Sequence, residues 1–528
     1  MTQSENSLDF VAVKALSTRL RTIVGLEPER AAIVSGGTRY SWSYLDVAIR
    51  QLEDLCAPFG GAGRHRVGIV LRNRPAHAAA IIATVATGRC VVTLSAGHGP
   101  VALLEDIREL RPSVIVAGTE DWLIPGFIEA VHEIGALPIE LTDQELDHTS
   151  KNAAAGPLRK YAHCPSPTSA ANEPDQDVAV LMQTSGTTGR PKRVPLTYEG
   201  LTTSFESSGL NAGPSKPAVI RDEVQIVWSP FVHIGGMYFI LANVLEGKTT
   251  ALMERFNVEE WVKLVRAYPT DVVSLVPTAL SMVLAANVPA DVFTGVKAVR
   301  SGTAPLKPEM AEEFLRRYGI PVLGNYGATE FAGAVTRWTM RDWREHGEAK
   351  RGSVGRGMPG VEMRVVDPET QIEVSLGDIG VLHVRSSQLA VADADGWART
   401  TDLASIDADG FVFIHGRADD AVIRGGFKIV PVVVEDALKT HPAVFDAAMT
   451  GVPHDRLGAV PVAAVQLKPE LVGERPSEAD LLAWLDARLP RYQVPVALKI
   501  VQELPRTPSM KISKPALRAL FDGVELGA

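Results

Sequence analysis

The feature that most constrains the fold is an alternation of short runs rich in Val and Ile with longer segments of helical period, from Phe10 to Gly357. Strands that alternate with crossover helices form mostly parallel sheets. The sequence therefore predicts a doubly wound α/β architecture, in which ligands bind beyond the carboxyl ends of the strands. The predicted strands are Val67–Leu71, Val114–Ala117, Val178–Met182, Gln225–Trp228, Val272–Val276 and Ala298–Ser301, and the predicted helices are Ala76–Thr87, Val258–Tyr268 and Lys307–Tyr318.

Three changes of pattern predict the domain organisation. Residues 150–175 are rich in Ala, Ser, Pro, Asn and Lys, which indicates a surface connection between two α/β subdomains. From about residue 358 to 416 the period shifts to two, which is typical of a small β-rich subdomain. Short strands and two helical segments then predict a separate α+β domain. We expect an N-terminal domain over residues 1–416, a hinge over 417–421 and a C-terminal domain over 422–528.

Composition argues against several classes of protein. The 528 residues carry a formal net charge of -9, which disfavours nucleic-acid binding because that binding depends on clustered Lys and Arg. Three cysteines without CxxC spacing suit a reducing compartment. The longest apolar stretch, Ala78–Ala86, is too short for a bilayer, which needs about 20 residues. With no secretory signal pattern at the N-terminus, we expect a cytoplasmic protein without a membrane span.

A loop rich in hydroxyl groups and glycine follows the predicted strand Val178–Met182 and ends in a cation. Glycines let backbone N–H groups approach phosphate oxygens, and hydroxyls and Lys add donors and charge, so the loop suits a polyphosphate. A surface loop without a ligand is the alternative. A kinase-type phosphate loop does not fit, since Arg190 and Pro191 separate Gly189 from Lys192. The loop consists of Thr184, Ser185, Gly186, Thr187, Thr188, Gly189, Arg190, Pro191 and Lys192.

These nine residues resemble the signature loop of the adenylate-forming superfamily, which comprises acyl-CoA synthetases, adenylation domains and luciferases. Further segments between Thr38 and Leu517 resemble motifs of that family in the family's order, and they are most similar to class I acyl-CoA ligases. The segments are Phe231–Gly236, Ser301–Pro305, Asn325–Glu330, Gly355–Gly360, Trp397–Asp402, Gly416–Asp420, Arg424–Ile429 and Arg506–Ile512.

The resemblance implies a site for ATP and Mg²⁺. Tyr326 would stack on adenine, and Glu330 would bind the metal together with Thr184. Asp402 and Arg417 would contact the ribose, and Lys511 would be the lysine of adenylation. The implied catalytic residues are Lys511, His233, Glu330 and Thr184, and the implied ATP-binding residues are Thr184, Ser185, Gly186, Thr187, Thr188, Gly189, Lys192, Ser301, Gly302, Thr303, Ala304, Asn325, Tyr326, Gly327, Ala328, Thr329, Glu330, Asp402, Arg417 and Lys511.

The resemblance also implies an acyl pocket and a path for the thiol of coenzyme A. The C-terminal domain would rotate about Asp419, after which Gly425, Gly426 and Phe427 would line the tunnel for pantetheine. The pocket walls show no obvious cation for a second carboxylate, which suits an uncharged medium-chain or aromatic acid. The implied pocket residues are His233, Gly235, Met237, Thr303 and Gly324.

The expected function is ATP-dependent conversion of a carboxylic acid to acyl-AMP, followed by thioester formation with coenzyme A. One alternative acceptor is the phosphopantetheine arm of a carrier protein. Another alternative is a nucleotide-binding homologue without catalysis, since Thr401, Met510 and Val433 stand where the family has Gly, Gly and Glu. Lys514 is the rival of Lys511 for the catalytic role, and the pattern leaves open whether the protein is a monomer or a homodimer.

Overall fold

The computed structural model describes residues 5–59, 65–142, 156–162, 177–184, 192–210, 216–418, 420–425, 427–454, 456–468, 475–507 and 512–524. The chain divides into two compact units, Met1–Glu362 with Arg385–Ala398 and Met363–Val384 with Arg399–Ala528. The predicted division lies later, at residues 417–421, and its pivot Asp419 is outside the described residues. That hinge therefore stays a prediction. None of the described helices is both long and apolar enough to cross a membrane.

The first unit contains most of the helices. These helices are α1 (Glu5–Val24), α2 (Trp42–Cys56), α3 (Pro75–Ala86), α4 (Pro100–Leu110), α5 (Thr119–Trp122), α6 (Phe127–Glu133), α7 (Tyr198–Ser207), α8 (Ile234–Leu245), α9 (Val258–Ala267), α10 (Pro277–Ala285), α11 (Pro308–Tyr318) and α12 (Met340–His346). Its strands are β1 (Ala31–Ser35), β2 (Thr38–Ser41), β3 (Arg66–Leu71), β4 (Cys90–Ser95), β5 (Val114–Gly118), β6 (Leu137–Leu141), β7 (Leu158–Lys160), β8 (Val178–Thr184), β9 (Lys192–Thr197), β10 (Val224–Val227), β11 (Thr249–Leu252), β12 (Val272–Ser274), β13 (Ala298–Ser301), β14 (Val322–Gly324), β15 (Gly327–Ala328), β16 (Gly333–Ala334), β17 (Thr336–Arg337) and β18 (Arg356–Gly357).

The largest sheet in the described part of this unit has seven strands in the order β7-β6-β5-β3-β4-β8-β9. Its five central strands are parallel and its two edge strands are antiparallel to their neighbours. Helix α3 packs against it with every residue buried. Strands from both sides of the predicted break near residues 150–175 belong to this one sheet. The break therefore does not separate two sheets, because the composition of a loop reports its exposure and not which strands pair.

Two smaller parallel arrangements complete the α/β part. Strands β10, β11 and β1 are parallel, with β2 antiparallel at the edge, and β12, β13 and β14 form a parallel sheet. Val273, Val299 and Val322 of the latter sheet pack with Trp261 and Phe314 in a hydrophobic cluster. The prediction of a doubly wound, mostly parallel α/β architecture is confirmed.

The second unit is an α+β structure, as predicted. Its four-stranded sheet has the order β19-β20-β21-β22, and its larger sheet has the order β24-β23-β26-β25 with β27 beside β26. Helices α13 and α14 pack on the larger sheet through Val434, Leu438, Leu481 and Leu485. The elements are β19 (Glu362–Val366), β20 (Gly380–Arg385), β21 (Trp397–Ile406), β22 (Val412–Arg417), β23 (Val422–Arg424), β24 (Phe427–Ile429), α13 (Pro431–Lys439), β25 (Val444–His454), β26 (Gly458–Leu467), α14 (Glu478–Asp486), β27 (Ala497–Val501) and α15 (Lys514–Ala519).

Candidate active site

The two ends of the predicted phosphate loop face each other at the end of the β8–β9 pair. Thr184 and Lys192 are register partners in this antiparallel ladder, and the Thr184 hydroxyl donates to the Lys192 carbonyl oxygen at 3.3 Å. The Lys192 side chain is exposed. The intervening residues Ser185, Gly186, Thr187, Thr188 and Gly189 lie outside the described residues. The loop is therefore held at both ends by a rigid strand pair, with a cation at one of those ends.

Two further predicted segments meet at the carboxyl ends of β13 and β14. Ser301 and Gly324 are register partners, and the Asn325 N–H donates to the Ser301 carbonyl at 2.9 Å. A Cβ on Gly302 would lie 2.4 Å from Oδ1 of Asn325, so a larger residue would require the Asn325 side chain to move. The Ser301 hydroxyl is buried and has no hydrogen-bond partner in the part of the chain that the structure describes. This edge of a parallel sheet is where α/β folds place their ligands.

Glu330 lies in a short turn, Thr329–Phe331, that packs against β9, the strand that begins at Lys192. Its backbone is fixed from the segment 385–398: the Ala390 N–H donates to the Glu330 carbonyl at 2.8 Å, and Gln388 Nε2 donates to Phe331 O at 2.8 Å. The half-buried carboxylate itself makes no hydrogen bond or ion pair with any described residue. It is thus held in place and left available to a ligand.

The donor set around Glu330 fits Mg²⁺ bound together with a substrate. The described residues contain no group of three or more His, Cys, Asp or Glu side chains that could hold a metal ion by themselves. Mg²⁺ in nucleotide sites is commonly held by one or two carboxylates and by substrate phosphates and water. The Glu330 carboxylate, in a turn that packs against β9 at the end of the predicted phosphate loop, meets that requirement.

Tyr326 precedes this turn and is half-buried. Its backbone N–H donates to Thr336 Oγ1 at 2.9 Å, and its ring centroid lies 6.0 Å from that of Phe331. Gly327 pairs with Ala334 across β15 and β16, where a Cβ on Gly327 would lie 2.3 Å from the Gly333 carbonyl oxygen. The backbone that carries Tyr326, Gly327, Ala328 and Thr329 is therefore tightly constrained.

His233 lies at the N-terminus of α8, directly before Ile234, and is half-buried. The helix starts close to the preceding loop, since a Cβ on Gly236 would lie 2.3 Å from the Ser229 carbonyl oxygen. Gly235 is half-buried beside it. Met237, which the sequence analysis assigned to a pocket wall, has no accessible surface and packs in the main hydrophobic cluster. It supports the helix, whereas Phe239 on the same helix keeps accessible surface.

Thr303 has a φ of 71°, in the left-handed region that favours glycine. A β-branched residue in that region is strained. The residue is exposed, and neighbouring Ala304 is half-buried. Thr303 therefore has a conformational cost that glycine would not have at this position.

Asp402 and Arg417 are register partners on β21 and β22 of the second unit. Arg417 Nη2 donates to the Thr401 hydroxyl at 2.6 Å. The Asp402 N–H donates to Thr400 Oγ1 at 3.0 Å. Thr401, which stands where the family has Gly, thus supplies a hydrogen-bond acceptor that orients Arg417. The predicted pair is together, and the departure supports it.

Lys511 lies outside the described residues, but the base of its loop is defined. Arg506 and Ile512 form an antiparallel bridge, and Arg506 Nη2 contacts Asp446 Oδ2 at 2.7 Å. The rival Lys514 is half-buried and donates from Nζ to the Met449 carbonyl at 2.8 Å. Its ammonium is therefore committed to the interior of the second unit.

The predicted thiol tunnel is described in part. Gly425 turns between β23 and β24 with a φ of 56°, and Phe427 is 58% exposed, so both can meet a ligand. The Phe427 ring stacks on Tyr492 with centroids 4.8 Å apart. Gly426 is outside the described residues.

Comparison with known proteins identifies the family. The family model described as AMP-binding enzyme matches residues 20–391, and the model of its C-terminal domain matches residues 433–511. The chain belongs to the AMP-binding enzyme family. This AMP-binding enzyme is 27% identical over 506 residues to 2-succinylbenzoate–CoA ligase of Bacillus pumilus, covering 93% of this chain and 95% of the relative.

Two other comparisons agree. The AMP-binding enzyme is 26% identical over 513 residues to 4-coumarate–CoA ligase 3 of Oryza sativa subsp. japonica, covering 93% and 89% of the two chains. The ATP-bound structure of MatB from Rhodopseudomonas palustris superposes with a TM-score of 0.79 and 26% identity over 96% of this chain and 99% of that one. The prediction of an AMP-forming acid–thiol ligase is confirmed at the level of enzyme class.

Two residues beside the predicted segments were not singled out from the sequence. Gln388 lies in a segment without a recognised motif, so nothing in the sequence indicated that it holds the Glu330 turn. Arg300 is the exposed charge in the otherwise small and apolar strand Ala298–Ser301, and a lone charge in such a run is a signal that the sequence offers.

Proposed function

We propose that this AMP-binding enzyme activates an aromatic or medium-chain carboxylic acid with ATP as acyl-AMP and then transfers the acyl group to coenzyme A. The observation that carries the proposal is the turn with the unpaired Glu330 carboxylate, packed against the strand that begins at Lys192. A polyphosphate with its metal ion requires a carboxylate and a cation near each other. Neither Glu330 nor Lys192 alone would be sufficient support for a polyphosphate site.

The chemistry follows from where charge develops. Attack of a carboxylate on the α-phosphorus gathers negative charge on phosphate oxygens, which fixed donors and cations stabilise. Mg²⁺, when bound at Glu330, would neutralise part of that charge. Lys192 would act on the β- and γ-phosphates, and Lys511 would bridge the carboxylate and the α-phosphate. Asp402 and Arg417 would hold the ribose, since a carboxylate accepts from hydroxyl groups and a guanidinium donates to them.

Relatives support an aromatic acid over an aliphatic one. The two CoA ligases compared above are named for 2-succinylbenzoate and 4-coumarate, which are both aromatic acids. The Phe239 ring on α8 offers a flat apolar surface for such a group. An aromatic carboxylate is therefore the first class to test.

The decisive assay is release of pyrophosphate from ATP by a panel of aromatic and medium-chain acids, with and without coenzyme A. We expect acid-dependent release and a thioester product that appears only with coenzyme A. Acyl-AMP that is transferred to a phosphopantetheinylated carrier protein and not to coenzyme A would favour the carrier alternative. No acid-dependent pyrophosphate exchange would favour a nucleotide-binding homologue without catalysis.

A matched pair of lysine variants tests the assignment of the catalytic cation. Lys511→Ala should lower adenylation on the order of a hundredfold or more and leave thioester formation from supplied acyl-AMP largely intact. Lys514→Ala should keep adenylation and lower stability, because it removes the bond to the Met449 carbonyl. The assignment is wrong if Lys514→Ala loses adenylation and Lys511→Ala retains it.

A further inference from the structure

Arg300 occupies the centre of the three-stranded parallel sheet. It is the register partner of Ser274 on β12 and of Leu323 on β14. In-register side chains of a parallel sheet point to the same face, and the adjacent residue Val299 faces the hydrophobic cluster on the opposite side. The guanidinium therefore stands on the other face of the sheet from the core.

No described residue satisfies this guanidinium. It makes no hydrogen bond and no ion pair within the described ranges, and its nearest aromatic contact is the Phe239 ring, whose centroid lies 6.0 Å from Cζ. The side chain is exposed to solvent, and yet desolvation by the surrounding protein lowers the pKa of Arg300. The guanidinium is therefore accessible to a ligand. An arginine stays charged there.

The neighbouring charged groups are already paired or are themselves cationic. Glu246, which acts on Arg300 at longer range, has an ion pair with Lys248 at 3.1 Å. Arg337 also acts on Arg300, and its Nη1 donates to the Ser208 carbonyl at 2.6 Å. The Tyr238 hydroxyl is hydrogen-bonded to Ser208 Oγ at 2.7 Å. Among the described residues, no unpaired acidic group therefore acts on Arg300.

Arg300 lies beside the segments predicted to hold the acyl group. Arg300 directly precedes Ser301 and Gly302 at the end of β13, and Phe239 belongs to the helix that His233 precedes. The sequence predicted an uncharged acyl tail because no cation was evident among the pocket residues. Arg300 is a cation next to those residues, so that reason no longer holds.

We propose that Arg300 binds a second carboxylate at the distal end of the acid, so that the preferred substrate is an aromatic dicarboxylic acid. The guanidinium fork matches a carboxylate with two parallel hydrogen bonds, and Phe239 would contact the apolar linker between the two carboxylates. This inference rests on the proposed function and specifies the substrate of the same site. The first carboxylate remains free to attack ATP.

The test compares aryl dicarboxylic acids of increasing length with their monoesters, in which the distal carboxylate is masked. The readout is kcat/KM for pyrophosphate release by the full-length enzyme. For at least one length, wild type should prefer the diacid about tenfold or more, and Arg300→Met should lower that preference by about tenfold or more with little effect on the monoester. Arg300→Lys should restore part of the preference, because it keeps the charge and loses the fork.

Arg316→Met is the charge-matched control, since Arg316 is exposed on α11 in the same unit. It should leave the preference unchanged. The inference is overturned if wild type prefers the monoester at every length, or if Arg300→Met lowers both substrates equally or acts through KM for ATP. Monoester turnover in that case leaves the proposed function standing. If no acid releases pyrophosphate, the proposed function fails, and calorimetric binding of the diacids to wild type and Arg300→Met decides the inference separately.

Discussion

A buried histidine gives the enzyme a stability that depends on pH. His77 lies in α3 and is 1% exposed, and neither ring nitrogen has a hydrogen-bond partner among the residues that the structure describes. Burial, reinforced by the positive charges of Arg72 and Arg74, lowers the pKa of His77 from 6.5 to about 3. The folded protein therefore holds the neutral imidazole at every pH near physiological values.

The size of the effect follows from proton linkage. Because the pKa of His77 is depressed in the folded state, its contribution to the free energy of unfolding is fully present above the unfolded pKa of 6.5. That contribution is lost as the pH falls toward 3. Each pH unit in that window costs about 1.4 kcal/mol. Lowering the pH from 7 to 5 should therefore reduce the free energy of unfolding by about 2 kcal/mol through His77 alone.

Urea denaturation of wild type and His77→Leu at pH 7 and pH 5 measures this contribution. The loss of unfolding free energy between the two pH values should be smaller in His77→Leu by about 2 kcal/mol. His132→Leu is the matched control, since His132 is an exposed histidine of the same unit, and it should keep the pH dependence of wild type. Equal pH dependence in wild type and His77→Leu would refute the reasoning.

Three further substitutions test the site. Thr303→Gly should raise the unfolding free energy by about 1 kcal/mol in urea denaturation, because relief of the strained φ exceeds the added freedom of the unfolded chain, and a lower value would contradict the strain. Thr401→Val keeps the shape of the strand and removes the acceptor of Arg417, so KM for ATP should rise about threefold to tenfold at unchanged stability; an unchanged KM would separate Arg417 from ATP. Glu330→Gln should raise the Mg²⁺ concentration required for half-maximal pyrophosphate release about tenfold or more, and an unaltered Mg²⁺ titration would place the metal elsewhere.

The elements of the α/β part could be predicted because their signal is local. Val67–Leu71 differs from the observed strand by one residue at its start, and Ala76–Thr87 differs from the observed helix by one residue at each end. Strand order could not be predicted, because it depends on contacts between distant segments. Strand β8 pairs with β4 on one side and β9 on the other, which joins segments on both sides of a loop that looked like a boundary.

The predicted site residues belong to recognisable motifs, whereas the residues that hold them do not. Glu330 and Asp402 belong to recognisable segments, whereas the hydrogen bonds of Gln388 and Thr401 depend on which chains meet in space. Thr401 stands where the family has Gly, and the structure shows its hydroxyl accepting a hydrogen bond from Arg417. Lys514 could not be separated from Lys511 by sequence, because both are lysines near the same helix start. The structure shows Lys514 bonded to the Met449 carbonyl, whereas Lys511 lies outside the described residues, so its role stays a prediction.

The described residues on both sides of the segment that contains Lys511 are anchored to one strand. Arg506 forms a bridge with Ile512, and its Nη2 contacts Asp446 Oδ2 at 2.7 Å, whereas Lys514 Nζ donates to the Met449 carbonyl at 2.8 Å. Asp446 and Met449 both belong to β25 (Val444–His454). A displacement of β25 would therefore act on both flanks of that segment at the same time.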